Sequence, residues 1–254
     1  YMNNGFKVST TLDSYGEENK TNGLIYSGVY NSIGGINKLN EFNTSESITK
    51  DINPSYGPIR VLKSRDTNLV TFCEDKVLQI FANKDSLFNA DGSSNLISSN
   101  KVLGNTKAFS GDYGIGNSPE SLAVDGYRMY FVDKHRNKVL RLSQDGLTII
   151  SDIGMKRFFR ENLQNCKSIV GSFDDVKGDY NVTISYENYS LNNDTTVTFN
   201  ERNKGWTSFK SFIPDNGISI NSDYLTGYEG CVYLHHVVRD TNLNDAGETI
   251  GPKS

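Results

Sequence analysis

The chain has 254 residues, a formal net charge of −4 and a sequence pI near 5.5. This balance lacks the excess of Lys and Arg that builds a polyanion-gripping surface, so the composition disfavours a nucleic-acid-binding protein. No run approaches the roughly 20 apolar residues that span a bilayer, and the opening YMNNGFKVST lacks the basic and apolar blocks of a signal peptide. We therefore expect no membrane insertion.

The first well-patterned region predicts three strands, at residues 59–62, 69–72 and 77–81, broken at Arg65-Asp66 and Glu74-Asp75. Residues 83–117 are rich in Asn, Ser, Gly and Asp and predict a long loop, with a short helix around 84–88 as the alternative. A loop of that length is usually functional or ordered by a neighbour, and we favour the neighbour.

Residues 118–151 predict a four-stranded antiparallel meander, the unit that β-propellers repeat as a blade. Asp125-Gly126 and Asp145-Gly146 supply two turn dipeptides of the kind that tight hairpins use, and a charged turn at 133–137 separates the middle strands. The apolar strand residues are, in order, Leu122 and Val124; Met129 and Phe131; Val139, Leu140 and Leu142; and residues 147–150.

One helix is predicted at residues 155–163, where Met155, Phe158, Phe159 and Leu163 fall at helical spacing and Asp152 stands as a candidate cap. Further strands are predicted at 166–173, 180–189, 195–199, 206–212 and 231–238. The 14 Tyr and 13 Phe suit a pleated, half-buried surface. The predicted fold is mainly β: antiparallel meander blades in a propeller-like arrangement, closed or incomplete.

The histidines offer little chemistry. His135 lies in the charged turn, where a solvated hairpin is the simpler interpretation. His235 and His236 are adjacent on a predicted strand, which sends their side chains to opposite faces, and no third ligand stands at a familiar spacing. We predict neither a metal site nor a histidine-based catalytic centre.

Acidic residues can serve as metal ligands or as catalytic carboxylate pairs. Asp85, Asn89, Asp91 and Gly92 are spaced like part of a calcium loop but lack the distal Glu of an EF-hand, so an Asx-rich turn is favoured. The carboxylates that a glycosidase would pair all stand beside predicted turns: Glu120, Asp125, Asp133 and Asp145. With no nucleophile elbow, P-loop or dinucleotide fingerprint, we predict no catalytic residue and no cofactor.

Cys73, Cys166 and Cys231 are predicted to be three buried free thiols in a reducing cell, with one disulfide as the alternative. Trp206, the single tryptophan, enters a predicted strand and is interpreted as a core or interface anchor rather than a sugar-stacking platform. Tyr130 and Phe131 join it as candidate anchors.

Three blocks carry a resemblance that covers most of the chain from residue 23 onward. Residues 23–43 (GLIYSGVYNSIGGINKLNEFN) with 48–85, residues 114–151 (GIGNSPESLAVDGYRMYFVDKHRNKVLRLSQDGLTIIS) and residues 205–236 (GWTSFKSFIPDNGISINSDYLTGYEGCVYLHH) resemble the tail nozzle of short-tailed phages, also called tail tubular protein B, and the muzzle-type proteins of crAss-like phages. Those proteins are longer, so we expect a fragment: 1–22 as the N-terminal segment of a larger parent and 23–254 as the propeller-like region.

The resemblance implies a non-enzymatic virion protein, assembled in the bacterial cytoplasm. It would form a homo-oligomeric ring, dock to other tail, neck or portal proteins and bound the channel through which DNA leaves without specific binding. An acidic chain suits such a conduit, since few counterions would be released on contact. Two alternatives stay open: a receptor- or glycan-binding module using Trp206, Tyr224, Tyr228 and Tyr233, and a hydrolase or lyase using His135 with Glu120 or Asp133.

Overall fold

The computed structural model describes residues 19–31, 34–43, 45, 47–88, 94–186 and 194–237. Antiparallel strands dominate this part of the chain, so the prediction of a mainly β fold is confirmed. Within these residues, no helix has the length and apolar character that crossing a membrane requires.

An N-terminal segment of two small sheets precedes the main body. It pairs β1 (Gly23–Ile25) with β4 (Thr49–Asp51), and β2 (Tyr30–Asn31) with β3 (Ile36–Asn37). A 3₁₀ helix at Pro54–Tyr56 leads onward. Ile52, with the partly buried Leu24 and Tyr56, packs against Leu78 and Ile80 of the following sheet, so the segment covers one face of that sheet.

The first meander pairs four strands in chain order: β5 (Ile59–Arg65), β6 (Asn68–Cys73), β7 (Val77–Phe88) and β8 (Ser94–Ala108). The predicted loop over 83–117 is therefore wrong at residues 83–88 and 94–108, and the alternative helix at 84–88 is wrong too. Backbone hydrogen bonds hold a strand ladder whatever the side chains are, so a polar sequence can form one. Asn89, Asp91 and Gly92 of the calcium-like motif lie outside the described residues.

The second meander confirms the prediction for residues 118–151. Its strands are β9 (Ala123–Asp125), β10 (Arg128–Asp133), β11 (Lys138–Ser143) and β12 (Gly146–Ile149), paired in chain order. Gly126 and Gly146 have φ values of 54° and 102°, the left-handed region that glycine adopts without the cost of a Cβ clash. Both predicted dipeptides thus lie at hairpin turns, although the register places the two turn residues at Gly126-Tyr127 and at Gln144-Asp145.

Helix α1 (Lys156–Gln164) follows, within one residue of its prediction at each end. It buries Phe159 and Leu163, whereas Asp152 does not cap it; Met155 holds the cap position without a side-chain hydrogen bond. Asp152 instead pairs with Lys138. The charge of Asp152 therefore ties the helix approach to β11.

The third and terminal meanders complete the described body. The third comprises β13 (Ser168–Asp174), β14 (Asp179–Ser185), β15 (Thr195–Asn200) and β16 (Gly205–Lys210), and the terminal meander comprises β17 (Asn216–Ile220), β18 (Asp223–Tyr228) and β19 (Cys231–Leu234). The strand predictions missed β17 and β18. Their hairpin turns at Asn221 and Ser222, whose φ values of 52° and 68° fit a tight primed turn.

Consecutive meanders pack face to face. One core lies between the first and second meanders and another between the second and third, where helix α1 joins it. The first strands of successive meanders, β9, β13 and β17, lie side by side, as inner strands of propeller blades do. Among the described residues, no strand pairing links the terminal meander back to the first, so a closed propeller is not observed.

Candidate functional site

The junction between the first and second meanders is apolar inside and ionic at one edge. Phe72 meets Phe131 edge to face, with ring centroids 5.1 Å apart. At the edge, the Arg136 guanidinium bridges Asp133 and Asp75, at 3.1 Å from each carboxylate. The two meanders are thus held by aromatic packing and a charge bridge together.

Asp133 is fully buried and committed to this bridge. Its carboxylate accepts hydrogen bonds from the backbone N–H of Gly114 at 3.1 Å and of Arg136 at 3.0 Å. Burial raises the pKa of Asp133, and the hydrogen bonds and the Arg136 charge oppose that shift. His135 lies 3.5 Å from Glu74 instead. The two residues that a hydrolase would combine therefore have separate structural partners.

The junction between the second and third meanders centres on Glu201. The Tyr130 hydroxyl donates to Glu201 at 2.7 Å, Arg141 donates to its other oxygen, and Arg128 Nε lies 3.5 Å away. Burial and the Glu201 carboxylate raise the pKa of Tyr130, which keeps the hydroxyl protonated as a donor. The Tyr130 ring stacks on Tyr180 at 4.9 Å.

A cleft of about 400 Å³ opens beside Glu201. Asp125, Arg128, Asp175, Arg202 and Lys204 contribute charges of both signs to its wall, and Phe173 supplies an apolar surface. Arg128 is already paired with Asp125 at 3.3 Å and with Glu201. The charges of the cleft therefore largely neutralise one another, which makes it part of the junction rather than a site selective for an ion.

The third and terminal meanders meet through hydroxyl and amide groups. The Tyr224 hydroxyl lies 2.7 Å from Ser172 Oγ and accepts from Asn181 Nδ2 at 3.1 Å. Ser219 Oγ donates to the Phe173 carbonyl at 2.9 Å and accepts from the Asp175 N–H at 3.1 Å. Burial raises the pKa of Tyr224. The second and third junctions thus contain buried polar groups that are satisfied across them, and the first is bridged by Arg136 and Asp75.

The two adjacent histidines do not occupy opposite faces of a strand. β19 ends at Leu234, and the φ of 63° at His236 turns the chain so that both rings lie near Tyr224. His235 Nε2 is hydrogen-bonded to Thr226 Oγ1 at 2.8 Å, and His236 Nε2 to Asp174 at 2.6 Å. Thr226 is buried, so this hydroxyl–imidazole pair ties the segment after β19 to the sheet and offers no open nucleophile.

The candidate anchors are all internal contacts. Trp206 donates from Nε1 to the Ile150 carbonyl at 2.9 Å and packs on Phe159 and Phe199 at 4.6 Å and 5.4 Å. Tyr130 and Phe131 are fully buried on opposite faces of β10, one toward each neighbouring meander. Whether any of the three also anchors an interface between proteins stays a prediction.

The remaining sequence candidates are dispersed. Asp125 is paired with Arg128, Glu120 lies in the 3₁₀ helix Pro119–Ser121, and Asp145 lies in the turn between β11 and β12. Cys73 and Cys166 are buried as predicted, but Cys231 is exposed, which corrects the expectation of three buried thiols. Its hairpin position at the start of the edge strand β19 explains that exposure. The three thiols are free, so the disulfide alternative is wrong.

Sequence reasoning missed Glu201, which contacts three side chains of the second meander. It follows β15 in the sequence Asn200-Glu201-Arg202, which is typical of a solvated hairpin turn. Its partners are 60 and 71 residues away, so no local spacing could indicate them. Among the described residues there is no group of three or more His, Cys, Asp or Glu that could hold a metal ion.

These features define a class: a mainly β protein of stacked antiparallel meanders whose buried polar groups serve the joints between sheets. The family model described as Crassvirus muzzle protein matches residues 47–230, well over half of the chain. The chain therefore belongs to the Crassvirus muzzle protein family and is a structural component of the phage virion. A comparison with curated proteins gave no match.

Proposed function

We propose that this chain is a non-enzymatic wall segment of a ring around the channel through which the phage genome leaves the particle. The family membership supports a virion role, and the family match spans the first three meanders and strands β17 and β18 of the terminal one. In this proposal the chain assembles in the host cytoplasm with copies of itself and contacts other tail, neck or portal proteins.

The observation that carries the proposal is the way consecutive meanders are joined. Two of the joints combine a contact surface with satisfied buried polar groups, Tyr130 with Glu201 and Tyr224 with Ser172, and in the remaining joint the Arg136 guanidinium reaches Asp75 of the neighbouring meander. Such joints resist sliding of one sheet on another, because sliding would leave buried donors and acceptors unpaired at a cost of about 1–3 kcal/mol each. A channel wall needs that resistance.

The net charge of −4 also fits a conduit. A wall that attracted phosphates would release counterions and hold the DNA, whereas a weakly acidic wall lets it pass. Two of the residues that motivated the glycan-binding alternative have roles inside the protein: Trp206 packs on Phe159, and Tyr224 is buried. No other contact in the described chain favours it.

Native mass spectrometry of the protein released gently from purified particles tests the proposal. We expect one dominant homo-oligomer with a fixed copy number, and no hydrolytic activity toward the polysaccharides of the host surface. Release as a monomer under conditions that leave other virion complexes intact would contradict the ring, and turnover of a glycan would contradict the non-enzymatic role.

A further inference from the structure

The two faces of the third meander differ in polarity. Along β14, Val182 and Ile184 belong to the apolar core that the second and third meanders share. Asn181 and Thr183 alternate with them, so their side chains lie on the opposite face. Asn181 bonds to Tyr224 of the terminal meander there, and both polar residues are only 1% exposed. The terminal meander therefore covers a polar face.

Hydroxyl groups from the neighbouring strands complete this polar face. Thr183 Oγ1 lies 2.9 Å from Thr196 Oγ1, and Thr198 Oγ1 donates to Asn181 Oδ1 at 2.7 Å. In the part of the chain that the structure describes, the buried apolar clusters contain no residue of the terminal meander. We call the buried face the polar joint; it comprises Ser172, Asn181, Thr183, Thr196 and Thr198.

Opening the polar joint should cost less free energy than opening an apolar junction. Water that enters the open joint can bond the hydroxyl and amide groups in place of their protein partners, so the net loss for each hydrogen bond is small. Separating the first and second meanders would instead bring Phe72 and Phe131 into water, and exposing such buried apolar area is the larger cost. A unit with few buried apolar contacts therefore opens before the rest.

A short linker joins β16 to β17 and is attached at both of its ends. The Phe212 carbonyl accepts a hydrogen bond from Thr196 Oγ1 at 2.7 Å, which attaches the linker to the third meander. The Asp215 N–H donates to the Gly227 carbonyl at 2.8 Å, which attaches it to the terminal meander. Residues 213–214 lie between these two attachments, so the chain can bend there.

His235 and His236 close the joint on its other side. His236 Nε2 is hydrogen-bonded to Asp174, the last residue of β13. The His235 ring packs on Phe212 of the linker and on Tyr224, with centroid distances of 4.6 Å and 5.0 Å. The segment after β19 is thus attached to the third meander and to the linker, and these contacts hold the terminal meander closed.

The closed joint disfavours a proton on His235. Burial, together with the nearby His236, whose ring centroid lies 6.2 Å away, lowers the pKa of His235. Lys177 and Lys210 also repel a charge there, and Asp174 attracts one but is already bonded to His236. His235 therefore stabilises the closed form above pH 6.5, and this stabilisation is lost as the pH falls through its lowered pKa.

We propose that the terminal meander is a flap: it opens from the third meander as a unit, bends at residues 213–214, and opens more readily when His235 is protonated. The open form exposes the polar joint and leaves the buried apolar clusters intact. The inference does not rest on the proposed function, because it concerns a single copy of the chain. It gives that copy two arrangements whose balance depends on pH.

Thiol accessibility tests the flap in the full chain. In a Cys231→Ser background, Ser172→Cys places a thiol in the polar joint, and the buried native Cys73 and Cys166 are internal controls. Each labelling rate with a dipyridyl disulfide is divided by the rate of the same thiol in urea. We expect the thiol at position 172 to be modified at least about tenfold faster than the two controls, because the flap opens without global unfolding.

A wedge in the joint sharpens the test. A Cβ at Gly217 would lie 2.8 Å from Ser172 Cβ, so Gly217→Ala should speed labelling in the joint and leave both control thiols unchanged. Gly205→Ala is the matched control, since its nearest atom is 3.7 Å away. Circular dichroism establishes folding, and Thr198→Cys, at another fully buried position of the joint, repeats the measurement if Ser172→Cys does not fold.

Labelling at pH 8 and pH 5 tests the role of His235. We expect relative labelling in the joint to be at least about threefold faster at pH 5 when His235 is present, and to lose this pH response in His235→Gln. Labelling in the joint no faster than at Cys73 and Cys166 would overturn the flap. Equal pH responses with and without His235→Gln would overturn the control by His235.

Discussion

Tyr130 of the second meander donates a 2.7 Å hydrogen bond to Glu201 of the third, across 71 residues of sequence. The same carboxylate receives Arg141, so a single side chain satisfies a hydroxyl and a guanidinium from two neighbouring strands, β10 and β11. This joint shows how the chain uses buried polarity: to fix one sheet against the next.

Glu201→Ala should destabilise the protein by about 3 kcal/mol, because it leaves a buried hydroxyl and a partly buried guanidinium without their acceptor. Tyr130→Phe, which removes only the hydroxyl, should cost about 1 kcal/mol. Urea denaturation measures both. Glu161→Ala is the control: its pair with Arg157 lies on an exposed helix face and should contribute less than about 0.5 kcal/mol. Equal losses of unfolding free energy for Glu201→Ala and Glu161→Ala would contradict the role of Glu201 in joining the second and third meanders.

Gly171→Ala should loosen the junction between the second and third meanders. A Cβ at Gly171 would lie 2.0 Å from the Ser121 carbonyl oxygen, and a backbone atom cannot move aside cheaply. Overpacking of this kind costs about 1–3 kcal/mol. Gly205→Ala is the matched control in the same meander, where the nearest atom is 3.7 Å away. Thermal unfolding should show a lower midpoint for Gly171→Ala alone, and unchanged midpoints for both would refute the close approach.

Only one thiol should react in the native protein. Cys231 is exposed, whereas Cys73 and Cys166 are buried, and desolvation raises the pKa of Cys73 to about 11 and also raises that of Cys166. Titration with a thiol-specific chromogenic disulfide should therefore modify one cysteine in buffer and three in urea. A Cys231→Ser variant should show no rapid reaction, and rapid modification of a second native thiol would contradict the buried placement.

Acidification should weaken the contact that His235, just after β19, makes with Thr226 of β18. Desolvation, with the nearby His236 charge, lowers the pKa of His235 below its usual 6.5, so the unfolded chain binds the proton more readily. The stabilising contribution of His235 is present above pH 6.5 and is lost as the pH falls through the folded-state pKa. Urea denaturation at pH 8 and pH 5 should show a larger loss for the wild type than for His235→Gln. Identical losses of stability in the wild type and in His235→Gln would indicate that the His235 imidazole is exposed to solvent in the folded protein.

The sequence was most informative where turn chemistry is local. Asp125-Gly126 and Asp145-Gly146 predicted the second meander because a hairpin corner is determined by its own residues. The Asn221-Ser222 corner has positive φ at both residues without a glycine, so the β17–β18 hairpin carries no Asp-Gly signal in the sequence. Strand β8 was not predicted because backbone hydrogen bonds form its ladder, and its polar side chains carry no apolar alternation.

The contacts between meanders could not be predicted because the paired side chains are distant in sequence and are common residue types for turns and strands. Asp75, Glu201 and Ser172 are each typical of a turn or strand, and only the stacking of sheets gives them Arg136, Tyr130 and Tyr224 as partners. The turn at His236 likewise depends on Asp174, 62 residues earlier. The sequence thus predicts the strands and the resemblance, and packing determines the joints.

Cryo-electron microscopy of the intact virion tests the central claim most directly. The account predicts a ring of identical copies around the tail axis, each showing the four stacked meanders of this chain. Density for these meanders as isolated units away from the axis, or their absence from the particle, would contradict it.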